Sequence, residues 1–240
     1  MKQIQMKHNM QAVILAAGKG LRMRPLTETT PKTLLPLNGI PLLEHILEAL
    51  PEEIQEIFLV VGYLKEQIMD RIGGIWHGKT IHYVVQNPLD GTGSAIHLLK
   101  QYLHERFFIL NGDDLYTKKD LERLIAHPLA ILVSPTKDSI TFSALADETG
   151  LFAGFESNAP SHEIKQRVCG AYILDERFFR YPLAEITVHN QKEYSLPHTL
   201  VAMSRDCPIK LETASFWQPV GTLEEYELAK NNCHKYLTKT

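Results

Sequence analysis

Five segments in the first half are apolar or β-rich with little polar interruption: Ala12–Ala16, Ile57–Val61, Ile81–Gln86, Phe107–Leu110 and Leu129–Val133. Short runs of this kind predict strands covered on both faces. Between them, apolar positions recur at helical spacing over Leu42–Leu50, Leu64–Ile72, Gly93–Leu103 and Lys118–Ile125, with Pro41 suited to the first turn of its helix. Strands alternating with helices imply a mainly parallel sheet flanked by helices, a Rossmann-like α/β fold. The rhythm then changes. Phe142–Glu156 holds the turn signal Asp147-Glu148-Thr149-Gly150 between two strand-like pieces and predicts a hairpin. Val168–Leu174 predicts another strand, Leu196–Ser204 a helix, and Thr222–Tyr236 a charged amphipathic helix. No internal repeat is present. The expectation is a small α+β extension in the C-terminal half, within a single domain spanning residues 1–240.

Composition narrows the partners. The chain has 240 residues, 44% hydrophobic, with 25 basic against 28 acidic residues and a formal net charge of −3. A polyanion-binding protein usually carries a basic excess, so no nucleic-acid partner is expected. Cys169, Cys207 and Cys233 show no CxxC spacing and cannot all pair within one chain, which points to a reducing, cytoplasmic setting. Lys2 and Lys7 precede no apolar signal region, and the run Ala12–Ala17 is too short to span a bilayer, so no membrane partner is expected. A homo-oligomer is allowed.

The strongest chemical signal follows the first strand, in Leu15-Ala16-Ala17-Gly18-Lys19-Gly20-Leu21-Arg22-Met23-Arg24-Pro25-Leu26-Thr27. Small residues let a ligand approach the backbone, and glycines allow N–H groups to turn toward an anion. Lys19, Arg22 and Arg24 supply positive charge. The segment is neither a P-loop nor GxGxxG, and alone it is equally a tight strand-to-helix turn. A second segment, Gln86-Asn87-Pro88-Leu89-Asp90-Gly91-Thr92-Gly93-Ser94-Ala95-Ile96, ends the third strand and opens a helix. Gln86 carries donors and an acceptor suited to the edge of uracil or thymine. The plainer reading is a helix start with Thr92 as its cap. A third, Leu110-Asn111-Gly112-Asp113-Asp114, ends the fourth strand and offers a carboxylate for a hard cation.

Taken with Pro31-Lys32-Thr33-Leu34-Leu35-Pro36-Leu37, the first segment resembles the signature of the sugar-1-phosphate nucleotidyltransferases, among them the glucose-1-phosphate thymidylyltransferases and N-acetylmuramate-1-phosphate uridylyltransferases. The resemblance runs over roughly residues 10–235 and is densest in the first half. It implies an enzyme that transfers a nucleotidyl group from a nucleoside triphosphate, with UTP or dTTP favoured, to a sugar 1-phosphate. Pyrophosphate leaves after Mg2+-assisted in-line attack. It assigns Arg22 and Lys32 to catalysis. The nucleotide falls to Leu15, Ala16, Ala17, Gly18, Lys19, Gly20, Gln86, Gly91 and Thr92. The metal falls to Asp113, and the sugar phosphate to Asn111, Glu156, Gly170 and Glu193. Roughly residues 10–135 would form the nucleotide-binding half and 136–240 the sugar-phosphate half with its closing helix.

Several positions depart from the family pattern. Leu21 replaces a threonine, Met23 a leucine, and Leu196 an aspartate. Ser157 stands in Phe155-Glu156-Ser157-Asn158-Ala159-Pro160 where the family has a phosphate-binding lysine, with Lys165 as the nearby substitute. In Phe216-Trp217-Gln218-Pro219-Val220-Gly221-Thr222, Pro219 replaces the second magnesium-binding aspartate, leaving Gln218, Asp114, water or the triphosphate to complete the shell. Asp114 is expected to be solvated or a partner of its neighbour. These losses suggest one alternative, a nucleotide-binding regulatory domain, and the resemblance of Trp217-Gln218-Pro219 to a cytidylyltransferase branch suggests another, a CTP-dependent enzyme acting on a sugar phosphate or phosphocholine.

Overall fold

The structure, a computed structural model, describes residues 10–157, 164–188 and 190–237. Eight strands form the main sheet: β1 Met10–Ala16, β2 Ile54–Val61, β3 Ile75–Trp76, β4 Lys79–Val85, β5 Arg106–Asn111, β6 Ala130–Thr136, β7 Lys165–Asp175 and β8 Lys210–Thr213. Their order across the sheet is β8-β6-β7-β5-β1-β2-β4-β3. β1 runs parallel to β2 and β5, β2 to β4, and β6 to β8. β7 is antiparallel to both neighbours, and β3 to β4. The chain moves outward from β1 to β2 and β4, then returns to place β5 on the other side of β1. In open α/β sheets such a reversal leaves a crevice outside the carboxyl ends of the strands, where ligands bind.

Alternate residues of the central strands enter two separate cores. Ala12, Ile14, Ile57, Leu59, Phe108, Leu110, Ala171 and Ile173 fill one face. Val13, Phe58, Val60, Phe107, Ile109, Tyr172 and Leu174 fill the other. This two-sided burial explains why the strands read as continuous apolar runs. The first face is covered by α1 Leu42–Ala49, α2 Lys65–Ile72, α4 Lys118–Ile125 and α6 Leu223–Leu237, and the second by α3 Thr92–His97 and α5 Leu196–Met203.

The predicted strands and helices of the first half are all present, with small changes at their ends. α3 is shorter than Gly93–Leu103, because beyond His97 the chain tightens into i→i−3 bonds, such as Leu99 N–H to Ile96 O at 2.9 Å. These turns still deliver Leu99 and Leu103 to the second core. Pro41 stands just before α1, at the end of the two-residue strand Ile40–Pro41 that pairs with Pro36–Leu37. The predicted hairpin is found as Phe142–Ala146 against Phe152–Ser157. A second hairpin, Ala184–Val188 against Gln191–Ser195, and the edge strand β8 have no counterpart in the sequence reading. Ala184–Val188 alternates apolar and polar residues, but it is short, its partner Gln191–Ser195 is mostly polar, and β8 is four residues long with two charges.

Besides the strand ladders, two sets of contacts hold the halves of the chain together. Gly91, at φ +113°, lies so close to Tyr194 that a Cβ would sit 2.4 Å from the Tyr194 carbonyl oxygen. Beside it, Tyr194 N–H donates to Asp90 O at 2.7 Å and Leu196 N–H donates to Thr92 Oγ1 at 3.0 Å. On the opposite face, fully buried Asp120 accepts from the N–H groups of Ser215 and Phe216 at 3.0 and 3.1 Å and pairs with Arg123 at 2.7 Å. Burial pushes the Asp120 carboxyl up, but the Ser215, Phe216 and Thr117 bonds outweigh it and hold the group below its ordinary value.

Two predictions follow from these anchors. Asp120→Ala leaves two N–H groups without an acceptor and should destabilise the protein by about 2–4 kcal/mol in urea unfolding at neutral pH. Because the folded carboxyl titrates low, its contribution is present above about pH 3.9 and is lost as pH falls through the folded value, so wild type and variant should converge in acid. Gly91→Ala forces a side chain into the Tyr194 backbone at a positive φ, and should lower stability by at least about 3 kcal/mol.

Candidate active site

The carboxyl ends of β1, β2 and β5 are tied into one floor. Gly112 N–H donates to Leu15 O at 2.9 Å, and Tyr63 N–H donates to Ala17 O at 3.1 Å. A Cβ on Gly112 would stand 2.7 Å from Leu15 O, and one on Gly62 would stand 2.9 Å from Ala17 O. Neither strand end could approach as closely with a side chain there. Leu15 and Ala16 are ladder-paired with Val60 and Val61, so the exposed backbone of the loop begins only after them.

Beyond Ala17 the loop opens. Gly18 has no neighbour within 4 Å of a built Cβ, and Lys19 is exposed. Gly20 adopts φ +61° and leads into the turn Leu21–Met23. Buried Met23 pins this turn to the core, while Leu21 points outward. Buried Thr27 donates its hydroxyl to Gly20 O at 2.8 Å. The fold of the loop sets Lys32 against Gly20, with 3.2 Å between the Lys32 Cβ and the Cβ that Gly20 lacks. Lys32 is only 8% exposed, and its Nζ bonds to Asp113 Oδ2 across 81 residues of sequence. A buried ammonium needs such a partner, since an uncompensated charge in the interior is strongly unfavourable.

The segment after β5 is held by pairing with the strand Trp217–Pro219. Asp114–Tyr116 runs antiparallel to it, Pro219 faces Asp114, and Val220 N–H donates to Asp113 O at 3.1 Å. This brings Gly221 to Arg22, whose Nη2 lies 3.1 Å from where a Gly221 Cβ would be. Gly221 N–H in turn donates to Glu225 Oε2 at 2.7 Å. Lys32 and Asp113 thus meet at the carboxyl ends of the central strands, and Arg22 lies beside Gly221, next to the Val220 that bonds to Asp113 O.

Of the two expectations for Asp114, solvated or a partner of its neighbour, solvation does not hold: it is buried, accepting from Asn111 Nδ2 at 3.3 Å with the Tyr116 hydroxyl oxygen 3.5 Å away. Burial, reinforced by the charge of Asp113, raises its carboxyl well above the ordinary value. Gln218 is also buried and turns its amide back to Pro219 O at 3.0 Å.

The remaining positions divide. Asn111 reaches Gly170, whose φ is +71°; a Cβ there would lie 2.1 Å from Asn111 Nδ2. Gly170 falls where the β6–β7 register shifts, so the irregular strand and the missing side chain together make room for Asn111. Gln86 is buried and its Nε2 donates to Gly91 O at 2.9 Å and Ser94 Oγ at 3.1 Å, shaping the loop that follows β4. Gly91, not Thr92, precedes the first turn of α3, and Thr92 serves Leu196 instead. Glu156 is exposed on the first hairpin and Glu193 half-buried on the second, and neither bonds to Arg22, Lys32 or Asp113. Lys165 is buried at the start of β7, where its Nζ donates to Asp138 O at 3.3 Å. Asn158, Ala159 and Pro160 lie outside the described residues. Gly62, Gly112 as a close-approach residue, Thr27 and Glu225 were not singled out as parts of the site, though Gly62 after an apolar strand was a readable signal.

Among the described residues no helix is long and apolar enough to cross a membrane. Residues 11–134, just over half the chain, match the family described as nucleotidyl transferase. The chain is 32% identical over 217 residues to the bifunctional protein GlmU of Methanocaldococcus jannaschii, covering 88% of this chain and 51% of that protein. It is 34% identical over 182 residues to the CMP-5'-(3-aminopropyl)phosphonate synthase of Streptomyces rubellomurinus, covering 71% of this chain and 29% of that one. The chain therefore spans about half the length, or less, of these curated relatives. A crystal structure of a putative glucose-1-phosphate thymidylyltransferase from Bacillus anthracis superposes with a TM-score of 0.79 at 21% identity, covering 92% of this chain and 94% of that one, a likeness of fold. With its glycine-rich loop, its Lys32–Asp113 pair and the family match over the same strands, the chain belongs to the nucleotidyl transferase family.

Proposed function

We propose that this protein transfers a nucleotidyl group from a nucleoside triphosphate to a sugar 1-phosphate, releasing pyrophosphate. The observation that carries the reading is the buried Lys32 paired with Asp113 at the sheet's switch point, with Arg22 beside Gly221 on the neighbouring segment. The chain works as one unit in this reading, residues 10–135 holding the nucleotide and 136–240 the acceptor.

The backbone from Gly18 to Gly20 receives the phosphates, because it is the open part of the loop beyond buried Ala17. Leu15 and Ala16 act as the floor beneath it. Arg22 faces the charge that builds on the departing pyrophosphate. Lys32 is held by Asp113 and Gly20, which limits its motion and keeps its charge directed at the phosphates. Asn111, resting on Gly170, can hydrogen-bond the acceptor. The acceptor phosphate is already an anionic nucleophile, so alignment for in-line attack supplies most of the rate gain.

The donor set fits Mg2+ held largely by phosphate and water. Asp113 is a carboxylate with a 35% exposed side chain, while Asp114 is buried and Pro219 brings no ligand. Magnesium often relies on one or two protein carboxylates, and when bound it neutralises phosphate charge at the reacting centre.

Gln86 supports UTP or dTTP. Its Nε2 is committed to the Gly91 carbonyl, which fixes the orientation of the amide and leaves Oε1 to accept the N3–H of uracil or thymine. CTP is the second reading, favoured by the name of the Streptomyces relative.

Pyrophosphate release should be measured with Mg2+, each common triphosphate and a panel of sugar 1-phosphates that includes N-acetylated hexosamines. Turnover with one pair, abolished in Asp113→Ala, supports the proposal. Silence across the panel with triphosphate binding intact would shift the reading to a regulatory domain. Arg22→Ala should lower kcat by about 10²–10³-fold, as removal of one charge-stabilising donor does elsewhere. The same variant should leave the urea midpoint unchanged, because Arg22 is exposed.

A further inference from the structure

A cleft of about 490 Å³ opens between the first hairpin, the start of β7 and the amino end of α5. It begins where the Arg22 cluster ends: Glu225 lines it, and Glu225 is bonded to Gly221, which touches Arg22. Because β7 is antiparallel to β5, its first residues project past the carboxyl ends of the parallel strands and form the floor. Phe142, Phe155 and His198 make the aromatic walls, with the His198 ring 4.9 Å from Phe142 and 5.2 Å from Phe155.

A phosphate monoester entering this cleft needs a cation. Ser157 has none, and Lys165 is turned away to the Asp138 carbonyl. His198 is partly buried, which lowers its pKa and favours the neutral ring. Arg167 is the remaining cation among the described residues lining the cleft. Its guanidinium lies 4.9 Å above the Trp217 ring, and its Nη2 donates to Glu225 Oε1 at 3.2 Å. The side chain is 37% exposed. A guanidinium has five N–H donors in a fixed fork suited to phosphate, and Glu225 occupies only part of it.

We propose that Arg167 binds the acceptor's phosphate, taking the role that Ser157 cannot fill, with the acceptor's carbon skeleton lying against Phe142, Phe155 and His198. This rests on the transferase reading for the identity of the acceptor, but the phosphate site itself can be tested without turnover. Trp217 reports on it directly, since an anion drawn to Arg167 alters the charge over the indole. The second tryptophan, Trp76, is in β3 at the far edge of the sheet and is removed in a Trp76→Phe background.

In that background, titration with N-acetylglucosamine 1-phosphate or inorganic phosphate should change Trp217 fluorescence saturably, and Arg167→Gln should abolish the response while Arg167→Lys keeps part of it. In turnover, Arg167→Gln should raise KM for the acceptor at least tenfold and leave KM for the triphosphate within twofold. An unchanged acceptor KM, or a fluorescence response that survives Arg167→Gln, overturns the proposal. A response lost in Arg167→Gln together with no turnover for any pair would uphold the phosphate site and sink the transferase reading. No saturable response in the Trp76→Phe protein, despite turnover, would sink the site and leave the transferase reading standing.

Discussion

The site depends on how closely the carboxyl ends of three strands approach one another. Gly112 donates to the Leu15 carbonyl in β1 and Tyr63 to the Ala17 carbonyl just beyond it, and Gly112 and Gly62 have no side chain to keep the strands apart. A buried backbone carbonyl must be satisfied. Here these bonds also decide where β1 stops being sheet and becomes loop. Everything that carries charge is then placed relative to that edge, Lys32 through Gly20 and Thr27, Asp113 through the bond of its neighbour Gly112, and Arg22 through the turn anchored by Met23.

Charge balance is the second constraint. Lys32 is buried, and its stability in that position comes from Asp113. Asp114 next door lies in a poorer environment, with Asn111 as its donor and a like charge beside it. The two adjacent aspartates therefore differ in kind. One is available at the edge of the crevice, and the other lies beside Asn111 and Tyr116, whose single hydroxyl proton has the Cys169 carbonyl as its nearest acceptor at 2.9 Å and so ties this segment to β7. The strand Trp217–Pro219 completes this region without a carboxylate of its own, and Glu225 reaches back from α6 to hold Gly221.

The buried central strands were legible because each is apolar on both faces, and the helices of the first face because they follow a 3.6-residue period. The glycine-rich loop was legible as a ligand loop because glycines and cations follow directly on a buried strand. Other assignments were altered by distant chain. Gly91 reads as a place of close approach, and the Tyr194 backbone fills the position where its side chain would stand. Thr92 reads as a helix cap, yet it accepts from Leu196. Gly170 reads as a strand glycine facing a sugar, yet its missing side chain is the space that Asn111 fills. In each case the partner lies far along the chain, and no local pattern records it.

By itself, then, the sequence determined the α/β order of elements, the strand core, the absence of a basic surface excess and the residue types of the loop. These follow from local periodicity and composition, which act over one or two turns of chain. Tertiary structure alone decided that Lys32 meets Asp113, that Arg22 rests beside Gly221, that Asp114 is buried, and that Lys165 turns away while Arg167 faces the cleft. The reason is physical: an antiparallel β7 inserted between β5 and β6 sets which side chains reach the carboxyl edge, and that insertion is a property of the sheet's pairing.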